Sequence, residues 1–307
     1  EDPPEPLQGV YAPNWSAIEK IGRDPGQICP IIGVEPKVRC FMPIVTAHEP
    51  GAFCWPELYT TDQAGSKIFY VRLFGWELRD IPMGPHAVYT IFTLGGHDAA
   101  ACYGALPDMA QQGIRPHWIP YVWVASSDET AVKAKAAGGK VVKEPFDVPG
   151  VGRMAVLQDP TGATICAWET RGHGGIGVYQ EPGALQWTEL LTNDTETASA
   201  FYQRVFGWKR QLWPSPEEPF YHLFMRGAEG AGGMTPITPE MGPIPPNWLT
   251  YFAVDDADKA VEAATANGGS AMMGPMDIPG VGRFAVLADG QGAVFAVIKM
   301  AQAAESS

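Results

Sequence analysis

The sequence predicts an α+β protein made of four βαβββ modules, arranged as two tandem repeats that form two half-open barrels. Three observations predict this: a long internal repeat, helix-end signals at matching places in the two copies, and strand-length segments after each helix. The chain has 307 residues, enough for about two domains. We expect an N-terminal extension at 1–47, domains at 48–175 and 176–300, and a tail at 301–307.

The internal repeat consists of matched segments that follow one another in the same order. Glu49–Leu58 matches Glu181–Leu190 at a spacing of 132 residues, and Asp147–Arg153 matches Asp277–Arg283 at a spacing of 130. A loop in the second copy is therefore shorter by two residues. Matches of this length in one order are not expected by chance, so they indicate a tandem duplication.

Each copy divides again into two modules of the order strand, helix, strand, strand, strand. In the first module, Phe53–Thr60 has strand character, Asp62 can cap a helix over 63–74, and Gly75 can end that helix in the left-handed conformation. The second module repeats this order, with a helix near 128–137. We expect the buried face of the first helix to carry its apolar residues at helical spacing, Ala64, Ile68 and Val71.

Composition excludes several classes of partner. The formal charge of −13 argues against nucleic acid, because binding phosphates needs clustered Lys and Arg. No stretch approaches the roughly 18 apolar residues of a membrane helix. The chain starts at Glu1 in a Pro-rich segment, which leaves both a cytoplasmic and an exported location open. Cys29 and Cys40 could pair in an exported protein, whereas the other three cysteines are expected to be free and buried.

Four βαβββ modules resemble the vicinal oxygen chelate superfamily, which includes glyoxalases, bleomycin-resistance proteins and extradiol dioxygenases. The resemblance lies in Asp62, Phe69-Tyr70 and Phe74-Gly75-Trp76, in their second-copy equivalents, and in the turn Asp159-Pro160-Thr161-Gly162. It covers about 48–300 and is closest to the tandem glyoxalase-like subgroup. It implies clefts that hold small molecules, either in one module pair or between modules one and four, and a monomer or a homodimer.

The resemblance also implies where metal ligands would lie, with a His on the first strand of a module and a Glu on the last. Alignment places Trp55, Ile119, Trp187 and Leu249 at the His positions. Counted from the turn Asp159-Pro160-Thr161-Gly162 and from its equivalent Asp289–Gly292 in the second copy, the Glu positions hold Cys166 and Ala296. One thiolate is not a metal site, so we predict no metal and no cofactor. A divalent metal (Fe, Zn, Ni or Mn) on relocated ligands is the alternative.

Each first strand predicts an aromatic wall beside a carboxylate, because alternate strand residues share a face. Trp55 and Glu57 share one face, and Trp187 and Glu189 share its counterpart. A buried carboxylate needs a partner or a raised pKa. We expect Arg153 to pair with Glu57 and Arg283 with Glu189, either as a structural ion pair or beside a general acid or base. Further candidates for the cleft lining are Tyr121, Tyr251, Trp123, Trp168, Cys166 and His222.

The predicted site residues favour the binding of a small molecule over catalysis. An aromatic cleft without metal ligands predicts a protein that binds a small, partly apolar or aromatic molecule, as bleomycin-resistance proteins do. The alternative is an enzyme of the same fold. It is either a cofactor-free lyase or isomerase that uses Glu57 or Glu189, or a metal-dependent glyoxalase or dioxygenase with relocated ligands.

Overall fold

The computed structural model describes residues 45, 48–84, 87–105, 113–213 and 221–301. Of the N-terminal extension it therefore covers only Val45, and the predicted Cys29–Cys40 pair and nearly all of the C-terminal tail lie outside the described residues. None of the described helices is long and apolar enough to cross a membrane.

The first half contains eight strands and two helices within its described residues, in the predicted order. The helices are α1 (Gln63–Phe74) and α2 (Ser127–Ala136). The strands are β1 (Phe53–Thr60), β2 (Glu77–Pro82), β3 (Val88–Leu94), β4 (His97–Gly104), β5 (His117–Trp123), β6 (Lys140–Val148), β7 (Gly152–Gln158) and β8 (Thr164–Thr170).

The second half repeats this series. Its helices are α3 (Thr195–Phe206) and α4 (Ala257–Ala266), with a short 3-10 helix at Pro239–Met241. Its strands are β9 (Leu185–Thr192), β10 (Lys209–Trp213), β11 (Tyr221–Arg226), β12 (Glu229–Pro236), β13 (Asn247–Ala253), β14 (Ser270–Ile278), β15 (Gly282–Ala288) and β16 (Val294–Met300).

Each half forms one continuous eight-stranded sheet. The strand order is β2-β3-β4-β1-β5-β8-β7-β6 in the first half and β10-β11-β12-β9-β13-β16-β15-β14 in the second. The first strands of the two modules pair antiparallel at the centre, β1 with β5 and β9 with β13. Modules one and two therefore share a sheet. Of the two predicted pairings, the structure has the one within a module pair and not the one between modules one and four. The sheets curve without closing, so the prediction of four modules in two half-open barrels is confirmed.

Helix α1 begins and ends where the sequence predicts. The Asp62 side chain accepts a hydrogen bond from the Gly65 backbone N–H, and Gly75 has φ 70° in the left-handed region. The predicted buried face is wrong. Ala64 and Ile68 are exposed and Val71 is only partly buried. The buried residues of this helix are instead Ser66, Phe69, Tyr70 and Phe74.

The aromatic residues of α1 are buried because the helix packs between its own sheet and the other half of the chain. Tyr70 donates a hydrogen bond to Asp289, at 3.1 Å, and accepts one from Trp118 Nε1, at 2.9 Å. The second half makes the equivalent hydrogen bonds to the first half. Tyr202 donates to Asp159 and accepts from Trp248, both at 2.9 Å.

Two further tryptophans join the halves through the backbone. Trp76 Nε1 donates to the Gly183 carbonyl at 2.7 Å, and Trp208 Nε1 donates to the Gly51 carbonyl at 2.8 Å. The helix-bearing faces of the two sheets therefore face each other across a shared core. The opposite, concave faces are left for the clefts.

Candidate functional site

The concave face of the first sheet is built around β1. Trp55, Glu57 and Tyr59 alternate along this strand and share that face, while Leu58 points into the helix-side core with Phe69 and Tyr70. All eight residues of β1 are buried, since the strand lies at the centre of the sheet. Glu57 is therefore a carboxylate held away from water, at 8 % exposure.

Glu57 is bound by two tyrosine hydroxyls. Tyr121 of β5 donates to Oε1 and Tyr89 of β3 donates to Oε2, each at 2.6 Å. Trp55 Nε1 donates in turn to the Tyr89 hydroxyl at 3.0 Å. These four side chains form a continuous hydrogen-bonded chain, which we call the first Trp-Tyr-Glu-Tyr centre.

The electrostatics of this centre favour the neutral forms of its groups. Burial raises the pKa of Glu57, and the hydrogen bonds from Tyr121 and Tyr89 oppose that rise only in part. Burial also raises the pKa of Tyr89 and Tyr121 well above the usual value, with the Glu57 charge adding to it. The centre therefore presents phenols and a carboxyl group with an increased proton affinity.

The second half builds the same centre from equivalent residues. Trp187 Nε1 donates to the Tyr221 hydroxyl at 3.1 Å, and Tyr251 donates to Glu189 Oε1 at 3.2 Å. Tyr221 also hydrogen-bonds Glu189. Burial raises the pKa of Glu189 to about 7, against the effect of these two tyrosines. A carboxyl group that titrates near neutral pH can both accept and donate a proton under physiological conditions.

Tyr89 and Tyr221 were not among the residues predicted from the sequence. Both complete the centre by joining the tryptophan to the carboxylate. The sequence did contain a signal for them, since they are 132 residues apart, the same spacing that relates Trp55 to Trp187. A comparison of tyrosines at the repeat spacing would have found the pair.

Arg153 and Arg283 do not pair with the buried glutamates, so that expectation is wrong. Arg153 contacts Asp128 at 2.7 Å and Asp147 at 3.1 Å. Arg283 contacts Asp258 at 2.6 Å and Asp277 at 3.2 Å. Each arginine contacts two exposed carboxylates, one on the preceding helix and one on the adjacent strand. The partners of Glu57 and Glu189 are tyrosines instead.

His222 lies on the wrong face of its strand to line the second cleft. Its neighbour Tyr221 reaches Trp187 on the concave face, whereas Phe224 packs against Tyr202 on the helix side. His222 shares the face of Phe224 because strand residues alternate. Burial lowers the pKa of His222, so the neutral imidazole is favoured there.

Cys166 lies in the first cleft, paired with Tyr121 across β5 and β8. Burial raises the pKa of its thiol well above the usual value, and the nearby Glu57 charge adds to this shift. The thiolate is the reactive and metal-binding form of cysteine. The raised pKa favours the thiol form of Cys166, and Ala296 occupies the equivalent place in the second half.

The donor groups at these centres do not fit a divalent cation. Each centre supplies a single carboxyl group among phenols and an indole, and burial raises the pKa of the nearby Cys166 thiol well above the usual value. Within the described ranges, no three His, Cys, Asp or Glu side chains group as a metal site would require.

The two clefts differ in what surrounds the shared centre. In the first, His173 packs edge-on against Trp55, with ring centroids 4.6 Å apart, and its Nε2 lies 3.2 Å from Asp98. Trp168, predicted to line this cleft, donates to the His173 carbonyl at 3.0 Å. In the second, Trp187 is partly exposed. The second lining is aliphatic and sulfur-rich, with Leu191, Met241, Leu249, Met273, Met276 and Phe284 packed around Tyr251.

Comparison with known proteins agrees with this fold and this duplication. The sequence profile of the Glyoxalase/Bleomycin resistance protein/Dioxygenase superfamily matches residues 53–167 and again 184–297. The chain is 40 % identical over 261 residues to "Putative glyoxylase CFP32" of Mycobacterium bovis, covering 85 % of this chain and 99 % of that protein. It is 33 % identical over 277 residues to the anthracycline biosynthesis protein DauV of Streptomyces sp. strain C5, covering 84 % and 97 %.

Solved structures show the same fold at low sequence identity. The Mn(II)-bound glyoxalase from Novosphingobium aromaticivorans has a TM-score of 0.57 at 17 % identity, covering 81 % of this chain and 82 % of that one. The 2,3-dioxygenase LapB from Pseudomonas sp. KL28 has a TM-score of 0.56 at 11 % identity, covering 82 % and 92 %. With two profile matches that together cover most of its length, this chain belongs to the Glyoxalase/Bleomycin resistance protein/Dioxygenase superfamily as a tandem, glyoxalase-like member.

Proposed function

We propose that this protein binds a small, partly apolar aromatic molecule in its clefts without using a divalent metal. The observation that carries the proposal is the duplicated Trp-Tyr-Glu-Tyr centre. Each copy places an indole, two phenols and a carboxyl group on one concave surface. Aromatic walls favour flat ligands by stacking, and a few placed polar groups fix their orientation.

The polar groups of the centre suit a ligand with a hydroxyl or carbonyl substituent. A buried carboxylate accepts a ligand hydroxyl, and a protonated carboxyl group or a phenol donates to a carbonyl. Two relatives of this chain are named as anthracycline biosynthesis proteins, and anthracyclines are polycyclic aromatic compounds that carry both groups. This supports an aromatic ligand of that general kind.

The test is a titration of 2-naphthol into protein purified without a chelator, followed by tryptophan fluorescence and with metal content measured on the same sample. We expect binding by protein that holds far less than one metal ion per chain. Glu57→Gln and Glu189→Gln should weaken binding about tenfold at their own cleft, since each removes a carboxyl group that hydrogen-bonds the ligand.

The matched control is Glu262→Gln, an exposed glutamate on α4 that should leave binding unchanged. Stoichiometric iron, zinc, nickel or manganese in the purified protein would contradict the metal-independent proposal. Equal affinity in the wild type and both cleft variants would show that the two glutamates do not contact the ligand.

A second candidate function is cofactor-free acid–base catalysis, favoured by the Glu189 pKa of about 7. A base with this pKa is suited to removing a proton from carbon next to a carbonyl and returning it. The test is proton exchange of acetophenone in deuterated water, followed by NMR. Exchange above the buffer rate that is lost in Glu189→Gln supports catalysis, and exchange at the buffer rate contradicts it.

A further inference from the structure

Tyr59 is a fully buried tyrosine whose hydroxyl has no hydrogen-bond partner among the described residues. It lies on β1 two residues after Glu57, so its side chain is on the concave face of the first sheet. Native proteins rarely leave a buried hydroxyl unpaired, because removing it from water without a partner costs free energy. An unpaired hydroxyl beside a candidate ligand site is therefore a group that an oxygen atom of a ligand can satisfy.

Two other polar rings surround Tyr59. The ring centroids of Tyr103 and His117 each lie 5.7 Å from that of Tyr59, and both residues are partly exposed. Burial lowers the pKa of His117, which favours its neutral form. Nδ1 of that ring lies 2.7 Å from the Arg115 carbonyl and so carries the proton, which leaves Nε2 as an acceptor.

The second cleft lacks this group of rings. Tyr59 pairs with Tyr103 on one neighbouring strand and with His117 on the other. At the same register of the second sheet, Leu191 pairs with Thr235 and Asn247. The buried hydroxyl thus has an apolar side chain in its place, although the Trp-Tyr-Glu-Tyr centre beside it is the same.

We propose that Tyr59, Tyr103 and His117 form a second polar subsite, so that the first cleft selects flat aromatic molecules with oxygen substituents at both ends. This inference rests on the proposed function, because the first centre at Glu57 holds one of the two oxygens. Residues two apart on a strand are separated by roughly 7 Å, which is close to the long dimension of a fused two-ring aromatic. Tyr59 donates to the second oxygen, and His117 accepts from it when it is a hydroxyl.

The test compares 2,6-dihydroxynaphthalene with 2-naphthol by titration calorimetry on the full chain. The wild type should bind the diol about tenfold more tightly, the ratio that one additional hydrogen bond gives. Tyr59→Phe removes only the hydroxyl and should bring the ratio close to one. Leu191→Phe, the same ring introduced at the equivalent place in the second cleft, should leave the ratio at its wild-type value.

The outcomes separate this inference from the proposed function. If the wild type binds both probes with equal affinity, or if Tyr59→Phe retains the preference, the subsite is wrong and the proposed function stands. If neither probe binds, the proposed function fails and the subsite with it. Thermal unfolding of the ligand-free variants gives an independent readout. Tyr59→Phe should melt no lower than the wild type, and a fall of several degrees would assign the hydroxyl a structural role instead.

Discussion

The two halves of this chain carry the same hydrogen-bonded centre inside different walls. Glu57 and Glu189 each lie between two tyrosines, one of which is joined to a tryptophan. Beside this centre the first half adds the ring contacts of Tyr59 with Tyr103 and His117, whereas the second is lined by leucine, methionine and phenylalanine. The centre and its lining therefore vary independently between the two halves.

The largest expected difference between the halves lies in the contacts that join them. Asp159 Oδ1 accepts hydrogen bonds from three backbone N–H groups and the Thr161 hydroxyl, while Oδ2 accepts from Tyr202. Asp289 also accepts from backbone N–H groups and from Tyr70, but it has no hydroxyl donor in the turn, because Gln291 stands where the first half has Thr161. We expect Asp159→Ala to lower the free energy of unfolding by about 4 kcal/mol and Asp289→Ala by about 3 kcal/mol.

Urea unfolding of both variants measures this difference. A matched control is Tyr202→Phe, which removes only one donor to Asp159 and should cost about 1 kcal/mol. A smaller loss for Asp159→Ala than for Asp289→Ala would show that the richer turn of the first half does not anchor the contact more strongly.

The next effect is a pH dependence that comes from the buried glutamates. In the folded state the pKa of Glu189 is about 7, above its value of 4.5 without burial, so the folded protein binds a proton that the unfolded chain releases between these values. Stability is therefore full below about pH 4.5 and falls as the pH rises to 7, by roughly 3 kcal/mol in total. The pKa of Glu57 is shifted in the same direction and adds to this fall.

The free energy of unfolding should be measured at pH 5 and at pH 8 for the wild type and for Glu189→Gln. The variant should lose less stability over this range, because its amide does not titrate. An equal loss in both proteins would show that Glu189 is not the group responsible, and Glu57→Gln then tests the equivalent residue.

The smallest expected difference between the two centres depends on a single side chain. Gly233 faces the second centre, and a Cβ at this position would overlap the Tyr221 hydroxyl and lie 2.9 Å from Trp187 Nε1. The first half has Ala101 at the same register beside Glu57. We expect Gly233→Ala to cost about 1 kcal/mol and to separate Tyr221 from Trp187, with a shift in tryptophan fluorescence.

Ala101→Gly is the reciprocal change and should leave the first centre intact, since it only removes a methyl group. A Gly233→Ala variant with unchanged fluorescence would show that the second centre has room to move. In that case the two centres differ in rigidity as well as in lining.

The sequence predicted the parts of this molecule that depend on local signals and on the repeat. Asp62 and Gly75 give the ends of α1 because capping is local, and the repeat spacing gives four modules. The buried face of α1 was misassigned because two sets of residues on this helix have helical spacing. The set that is buried contains Tyr70, which packs against Trp76 and Phe92 of its own half and against Phe295 of the other. Arg153 was misplaced because the sequence does not show that Asp128 and Asp147 lie closer to it than Glu57.

The sequence predicted the glutamates and tryptophans of the candidate site, but not the hydrogen bonds that connect them. Alternation along β1 placed Trp55 beside Glu57 correctly, because that rule needs only one strand. Tyr89 comes from a strand two positions away in the sheet, and no local rule links it to Glu57. The strand order had to be known before its hydroxyl could be placed on that carboxylate.

The exchanged contacts Tyr70–Asp289 and Tyr202–Asp159 have a consequence for how the chain unfolds. Each half supplies the tyrosine that the other half's turn requires, so a half alone would expose a large aromatic surface and leave a carboxylate without its donor. Unfolding of one half therefore removes stability from the other. Calorimetry should record one cooperative transition for the pair of sheets, with the two clefts lost together rather than in succession.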